Sequence, residues 1–464
     1  MKPRILFLSL VNNVGLDRII RAMASSGCEC GVLSPPGFYC AHTRFADRRF
    51  ELPRHLGMWR GLLAVRSALE TLLLEWPPDA IVPLDDVSSW LLRGTVLGRA
   101  ASVRLTQLIE RSLGPAKGYP ACLSRFELIA LASGLGVRTP YTVQARGHAA
   151  FFRAAAAWGY PVVVKSEFTC GGSGVALAWD DGELAKCAAE HFPASPRRLL
   201  SLKRRAREMV WRRAGIPQAH GVPPVLQSHI AGRPAMTTVA AREGHVLESV
   251  SFVAERVNPP VTGASTVVRH IEQEEMRLAA ERIVAALGCS GFVSFDFMLQ
   301  SETQRAFLIE MNARAIGTGH LGSMFGHDVC GALAAEFGGW SRPMPRPLRD
   351  AGKSIALFPK ELEREPENLA RLQLEDIYFD LPADDPALVE AYLGYLGKRL
   401  PGQIDGIRAA LALPPGMSGN SAAARRPEWL RSVAAGLKQL AGRRAPVGLG
   451  PLGASQAEEA EDQR

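Results

Sequence analysis

Two periodicities of hydrophobic and polar positions divide this chain. Near the amino end, short apolar runs are separated by helical stretches. Ile5 to Val11 reads as a strand, Asp17 to Ser26 as a helix and Glu29 to Leu33 as a second strand. Leu62 to Trp76 repeats its apolar residues at helical spacing, and Ala80 to Pro83 is a short run that ends at Leu84-Asp85-Asp86. Such alternation predicts a small parallel sheet wrapped by helices. Farther along, Tyr160 to Lys165 is an apolar run ending in a lysine. Two later runs, Phe292 to Leu299 and Ala306 to Asn312, flank the polar turn Ser301 to Gln304 and predict a hairpin.

Side chains of a strand alternate between faces. Val293, Phe295, Phe297 and Leu299 therefore share a face, as do Phe307, Ile309 and Met311 on the partner, while Asp296, Glu310 and Asn312 point the other way. A hairpin closing about Thr303 sets Asp296 opposite Glu310, with carboxylates roughly 5 Å apart. Like charges this close call for something positive between them. Three oxygen-bearing side chains suit a hard cation such as Mg²⁺, which takes one or two carboxylates plus phosphates. The competing reading is a solvated polar face at a sheet edge.

After Lys165 come Ser166-Glu167-Phe168 and the loop Thr169-Cys170-Gly171-Gly172-Ser173-Gly174-Val175. Glycines let backbone N–H groups turn toward a phosphate, and a lysine supplies a point charge. In the Walker pattern the lysine follows the glycines and opens a helix. Here it precedes them, which predicts a hairpin folded over a nucleotide. Only nine of the 54 basic residues are lysines, so one on an apolar strand suggests a role that arginine cannot fill. A snorkelling lysine beside an ordinary turn is the alternative.

In order and spacing these pieces resemble the ATP-grasp superfamily, in particular its carbamoyl-phosphate-synthase-like and biotin-carboxylase-like branch. The likeness runs over roughly residues 115 to 330. It includes the helix around Arg125 to Gly136 leading to Val137-Arg138-Thr139-Pro140, and Val225-Leu226-Gln227-Ser228-His229-Ile230-Ala231-Gly232, similar to the family's adenine-binding hinge. It closes on Ile309-Glu310-Met311-Asn312-Ala313-Arg314. The resemblance implies ATP with Mg²⁺, or Mn²⁺ in its place. Lys165 would contact the phosphates, and Gly171, Gly172, Ser173 and Gly174 would form the flap over them. Gln227, Ser228, His229 and Ile230 would meet the adenine, and Asp296, Glu310 and Asn312 would bind the metal. Arg314 would steady phosphate or acyl phosphate. Three departures stand out. The family's first phosphate lysine falls on Arg125, the Gln-Glu pair of the hinge reads Gln227-Ser228, and Ala313 replaces a common proline.

The implied fold is α/β: a parallel pre-ATP-grasp domain over residues 1–113, a small nucleotide lobe over 114–232 and a metal-binding lobe over 233–339. A carboxy-terminal extension over 340–442, with a strand at Lys353 to Pro359 and helices at Pro386 to Leu396 and Pro427 to Leu440, and a disordered tail over 443–464 complete it. No G-x-G-x-x-G opens a helix in the amino-terminal part, which argues against a dinucleotide site. Asp85-Asp86 either caps the helix that follows or holds a substrate amine; capping is preferred.

Composition changes this picture little. The 464 residues exceed one core, and 47% hydrophobic with 22% charged residues is ordinary for a globular chain. The net charge of +8 gathers partly in Arg197 to Arg213, where only Trp211 could stack on a base, so nucleic acid is not an expected partner. Eight scattered cysteines without a zinc-type pattern fit a reducing cytoplasm. The first apolar run is too short for a signal peptide, and none approaches a membrane span.

The expected activity is an ATP-dependent ligase that activates a carboxylate as an acyl phosphate and joins it to an amine. Small-molecule acid and amine are its partners, and a homodimer is the generic expectation of the branch. Arg269 is the second catalytic candidate beside Arg314, with Arg256 and His320 as weaker ones. An ATP-binding scaffold without turnover and an ATP-grasp kinase remain the alternatives.

Overall fold

Four short apolar runs at the amino end pair side by side. They are β1 (Arg4–Leu8), β2 (Glu29–Ser34), β3 (Arg48–Glu51) and β4 (Ala80–Pro83), all parallel in the order β3-β2-β1-β4. The computed structural model describes residues 2–52, 58–169, 174–192, 222–261, 263–338, 353–366, 375 and 377–411. β1 and β2 are buried almost throughout, as parallel strands covered on both faces must be. Ile5 and Phe7 pack toward the helix Asp17–Ser25, whereas Leu6 and Leu8 pack toward the helices Met58–Glu75, Asp86–Leu97 and Val103–Leu113. The Ile5 side does not end with its own helix. It shares one apolar core with Met236, Ala240, Phe252, Val268 and Ile355.

Those five residues belong to a seven-stranded sheet in the order β13-β12-β9-β10-β11-β14-β15. Its members are β9 (Gly232–Arg242), β10 (His245–Asn258), β11 (Ala264–His270), β12 (Gly291–Gln300), β13 (Ala306–Asn312), β14 (Ser354–Leu357) and β15 (Tyr378–Asp380). All neighbours are antiparallel except β14 and β15. The other face is covered by the helix Glu274–Leu287, whose Met276, Ala280, Ile283 and Val284 meet Val239, Val293, Phe295 and Phe297.

Between the two in sequence comes a four-stranded antiparallel sheet, β5 (Thr142–Gln144), β8 (Val225–Ser228), β6 (Val162–Lys165) and β7 (Val175–Ala178), in that order. Period-two alternation divides its faces. Val162, Val164 and Leu226 pack under Phe151 and Leu184 of the helices His148–Trp158 and Asp181–His191. Val163, Lys165, Val175, Leu177 and Gln227 face a cavity instead. β6 and β7 form the antiparallel pair expected when a lysine precedes the glycine loop, with Lys165 opposite Val175.

The strand expected at Lys353 to Pro359 is β14, and it is an integral member of the large sheet, paired with β11. The helix expected at Pro386 to Leu396 runs over Pro386–Arg399. Its Tyr392 stacks near Tyr39 with ring centroids 4.8 Å apart, donates its hydroxyl to Asp17 and accepts from the Gly15 N–H at 2.7 Å. The helix expected at Pro427 to Leu440, the tail 443–464 and the arginine-rich stretch Arg197 to Arg213 lie outside the described residues. No described helix is long and apolar enough to cross a membrane.

Candidate functional site

β12 and β13 pair in the register expected, with Asp296 opposite Glu310 and Ser294 opposite Asn312. The alternation breaks immediately afterwards. Phe297 stands opposite Leu308, so Ile309 is an extra residue in a β-bulge. The apolar side of β13 is therefore Ala306, Leu308, Met311 and Ala313, which join the core with Phe295 and Phe297. This corrects the expected placement of Phe307 and Ile309. Ile309 lines the cavity, and Phe307 lies under the Arg138 guanidinium. The bulge keeps Ile309 and Glu310 both on the cavity wall.

Burial, and then the charge of Glu310, push the Asp296 carboxyl up to about 7; Arg314, Asn312 and Lys165 act against this. Asn312 Nδ2 donates to Asp296 Oδ2 at 2.9 Å, and its Oδ1 accepts from Arg314 Nη2 at 3.1 Å. Arg125 opens the helix Arg125–Gly134, whose start is capped by Ser124 and by the buried Glu167 carboxylate. From there Arg125 places Nε and Nη2 at 3.1 and 2.7 Å from Glu310 Oε1. Its Nη1 and Nη2 also donate to the Ser166 and Thr169 carbonyls, at 2.5 and 2.7 Å. Arg125 thus joins the large sheet to the start of the glycine loop. Lys165 Nζ donates to the Ile309 carbonyl at 3.3 Å, and burial lowers its amine to about 8 against the pull of Glu310.

Arg125, Lys165, Gln227, Ser228, His229, Ile230, Asp296, Glu310, Asn312 and Arg314 all line one cavity of about 370 Å³. Its walls near Gln227 to Ile230 are apolar, from Val163, Val175, Leu177, Met298 and Ile309. Ser228 stands at the hinge with its Oγ accepting from the Tyr141 N–H at 3.0 Å. Gly232 follows, where a Cβ would lie 2.0 Å from the Leu299 carbonyl oxygen, so no other residue fits the start of β9. Of the expected flap, Gly171, Gly172 and Ser173 are outside the described residues. Gly174 closes the loop at φ +75°, its carbonyl accepting from the Ser166 N–H at 2.8 Å.

Arg269 departs from expectation. The cavity meets β11 only at its start, Ala264 and Ser265, and Arg269 stands about 13 Å farther along the strand at about 3.3 Å per residue. Its Nε is held by Glu255 Oε1 at 2.8 Å. Arg256 is likewise taken up, by the buried Glu361 and by Glu375. His320 does not line the cavity but meets Asp380 Oδ1 at 3.2 Å.

Three residues of the site, Arg18, Lys360 and Asp380, escaped the sequence reading, and the pairing of Asp86 was not foreseen. Asp85 caps its helix through the Ser88 N–H and also accepts from the Leu10 and Val11 N–H groups, which bears out capping. Asp86, however, forms a two-oxygen pair with Arg314 at 2.7 and 2.8 Å. Arg18, Lys360 and Asp380 also line the cavity. Arg18 donates to the Phe358 and Asp380 carbonyls at 2.7 and 3.0 Å and approaches the Asp380 carboxylate at 3.1 Å. Lys360 Nζ has no hydrogen bond or ion pair among the described residues, and burial followed by the nearby charges of Arg18 and Arg314 lowers its amine to about 8. The scarcity argument applied to Lys165 would have found Lys360 too, since it ends the apolar run Ile355 to Pro359.

The oxygen donors fit a hard cation. Two carboxylates face each other across one strand pair, and burial, then the charge of Glu310, pushes Asp296 up to about 7.

Two family models match in succession, "Carbamoyl-phosphate synthase L chain, ATP binding domain" over residues 127–200 and "ATP-grasp domain" over 205–318. The carbamoyl phosphate synthase large chain of Myxococcus xanthus is 25% identical over 263 residues, which cover 55% of this chain and 21% of the relative. That of Thermotoga petrophila is 25% identical over 342 residues, covering 69% and 27%. The chain thus spans about a quarter of the length of these curated relatives. Among solved structures, biotin carboxylase from Campylobacter jejuni superposes with a TM-score of 0.53 at 17% identity, over 74% of this chain and 72% of that one. The biotin carboxylase domain dimer of Hydrogenobacter thermophilus 2-oxoglutarate carboxylase, solved with Mg-ADP and bicarbonate, gives 0.51 at 17% identity, over 76% and 73%. Family models and distant relatives thus agree on residues 127–318, which match an ATP-grasp domain of the carbamoyl-phosphate-synthase kind, and the solved structures share its fold.

Proposed function

We propose that this chain is an ATP- and Mg²⁺-dependent ligase that converts a carboxylate to an acyl phosphate and passes the acyl group to an amine. The observation that carries this reading is a single cavity lined by three chemically distinct groups of residues. Apolar side chains such as Val163 line it with Gln227 to Ile230, a charged group comprises Lys165, Asp296, Glu310, Asn312 and Arg314, and a third group comprises Arg18, Lys360 and Asp380. A purine base suits the apolar side chains, with the hinge backbone from Gln227 to Ile230 meeting its edge. Lys165 and Arg125 hold phosphate oxygens, by point charge and by fork respectively. Asp296, Glu310 and Asn312 would hold Mg²⁺, which when bound offsets the charge on the phosphates.

The acid binds with its carboxylate toward Lys360, a cation with no hydrogen bond or ion pair among the described residues. Its oxygen attacks the γ-phosphorus; the bond to the β,γ-bridging oxygen breaks, and ADP leaves. Arg314, fixed by Asp86, steadies the transferred phosphoryl group, a positioning and electrostatic role. The amine nitrogen then attacks the acyl carbon, phosphate departs and the nitrogen loses a proton. The loop containing Gly171, Gly172, Ser173 and Gly174 is assigned the task of excluding water while the acyl phosphate waits.

A second reading, an ATP-binding protein without turnover, is favoured by one contact, the Arg125 fork on Glu310 Oε1, which occupies an oxygen a metal would take. ADP release separates the two. A ligase releases ADP only when both an acid and an amine are supplied. A non-turnover binder releases none, and a kinase accumulates a stable phosphorylated acid or alcohol.

A further inference from the structure

Away from the cavity, three potential metal ligands converge from separate parts of the chain. His270 ends β11, Glu272 follows two residues later, and His327 lies between the 3-10 turn Gly319–Phe325 and the helix Val329–Gly338. None of the three lines the cavity. Glu272 Oε1 is 3.1 Å from His327 Nε2 and 3.5 Å from His270 Nε2, and the ligand atoms of all three residues lie within 4.8 Å of one another. Ligand atoms bound about 2.0–2.1 Å from a tetrahedral Zn²⁺ stand about 3.3 Å apart, so the two measured separations bracket the required edge.

The surroundings favour a metal over a simple carboxylate bridge. The His270 ring is buried and stacks on Phe325 at 4.3 Å with planes 7° apart, which fixes where its Nε2 points. His327 Nδ1 faces Glu248 Oε1 at 3.3 Å. Glu248 and Glu272 together raise the His327 pKa, so a metal would bind at Nε2 in competition with a proton. An imidazole whose outer nitrogen meets a carboxylate is the usual arrangement of a metal-bound histidine. Glu272 is mostly exposed, its side chain 70% accessible, so water can reach a fourth coordination position.

We propose that His270, Glu272 and His327 form a Zn²⁺ site, with Glu248 as the outer partner of His327 and water as the fourth ligand. Imidazole and carboxylate are ligands that zinc accepts readily, whereas Mg²⁺ prefers an all-oxygen set. The ion would fasten the end of β11 to the segment Gly319–Phe325, directly after Ile316, Gly317 and Thr318 of the cavity wall. It acts there as a structural staple and takes no part in phosphoryl transfer. The assignment does not depend on the ligase reading.

The test uses the full chain, stripped with a chelator, dialysed and equilibrated with zinc chloride under excess Mg²⁺, which competes for the oxygen-only site at Asp296. Bound zinc is counted and the melting temperature followed. One zinc per chain and a raised melting temperature are expected, both retained in Glu310→Ala and both lost in Glu272→Gln and His327→Gln. Glu248→Gln should weaken zinc about 10–100-fold. Because Glu272 is exposed, the chelated Glu272→Gln variant should melt with the chelated wild type, which separates loss of metal from loss of fold. No zinc retained by the wild type, or zinc retained undiminished by Glu272→Gln, overturns the assignment.

Discussion

Two groups of residues in the cavity present opposite electrostatic problems. At the centre, burial and a facing carboxylate raise Asp296 to about 7 even though Arg314 and Lys165 stand close by. Beside Arg18, burial and two guanidinium groups lower Lys360 to about 8, while the Asp380 carboxylate there is taken up by Arg18 and His320. Their origins differ as much as their charges. The central carboxylates come from one hairpin, whereas Arg18, Lys360 and Asp380 come from three separate segments. A function read from one hairpin is a nucleotide function; what distinguishes this chain's substrate is dispersed.

The largest effect should follow from removing the facing charge at the centre. Glu310→Ala should lower acid- and amine-dependent ADP release by about 10³-fold and abolish the Mg²⁺-dependent rise in melting temperature with ATP. A variant that keeps that rise would break the contrast between the two groups. Lys360→Met should instead leave the Mg-ATP melting shift intact and raise the KM for the acid about 10–100-fold, the loss of one charge-assisted hydrogen bond of about 1.5–3 kcal/mol. If it weakens Mg-ATP rather than the acid, the two groups have been assigned the wrong way round. The pH dependence sharpens this. Lys360 carries its charge below about 8 and loses it above, so KM for the acid should climb as pH rises through about 8. The climb through that range should be weaker in Lys360→Met. Smallest of all, Arg269→Ala should change kcat/KM less than about threefold, because its half-exposed pair with Glu255 contributes about 0–1 kcal/mol and stands clear of the cavity.

How far the site was legible follows from this distribution. Asp296 opposite Glu310 could be read because strand period and turn length fix register locally. Lys165 and its loop were legible from composition and order. The bulge at Ile309 was not, since Phe307, Leu308 and Ile309 are all apolar and alternation cannot say which one steps out of line. Asp86 meets Arg314 across 228 residues, a distance at which no spacing argument operates. Arg269 was expected as a second catalytic candidate, but β11 runs on beyond the cavity and carries it away. β14 was foreseen as a strand; its pairing with β11 was not, because nothing in a four-residue apolar run names its neighbour.

The core shared by the amino-terminal sheet and the large sheet also bears on how this protein can be taken apart. Ile5, Phe7, Ile19 and Ile20 pack in one cluster with Met236, Phe252, Val268 and Ile355. A fragment starting after Leu113 would bare the apolar side of β9, β10 and β11 to water, and the complementary fragment would bare its own. Neither piece should be obtained in soluble form by itself, though co-expression should allow the halves to rescue each other. For anyone grafting or recombining parts of this chain, the practical unit of inheritance is the joined pair of sheets, not either alone.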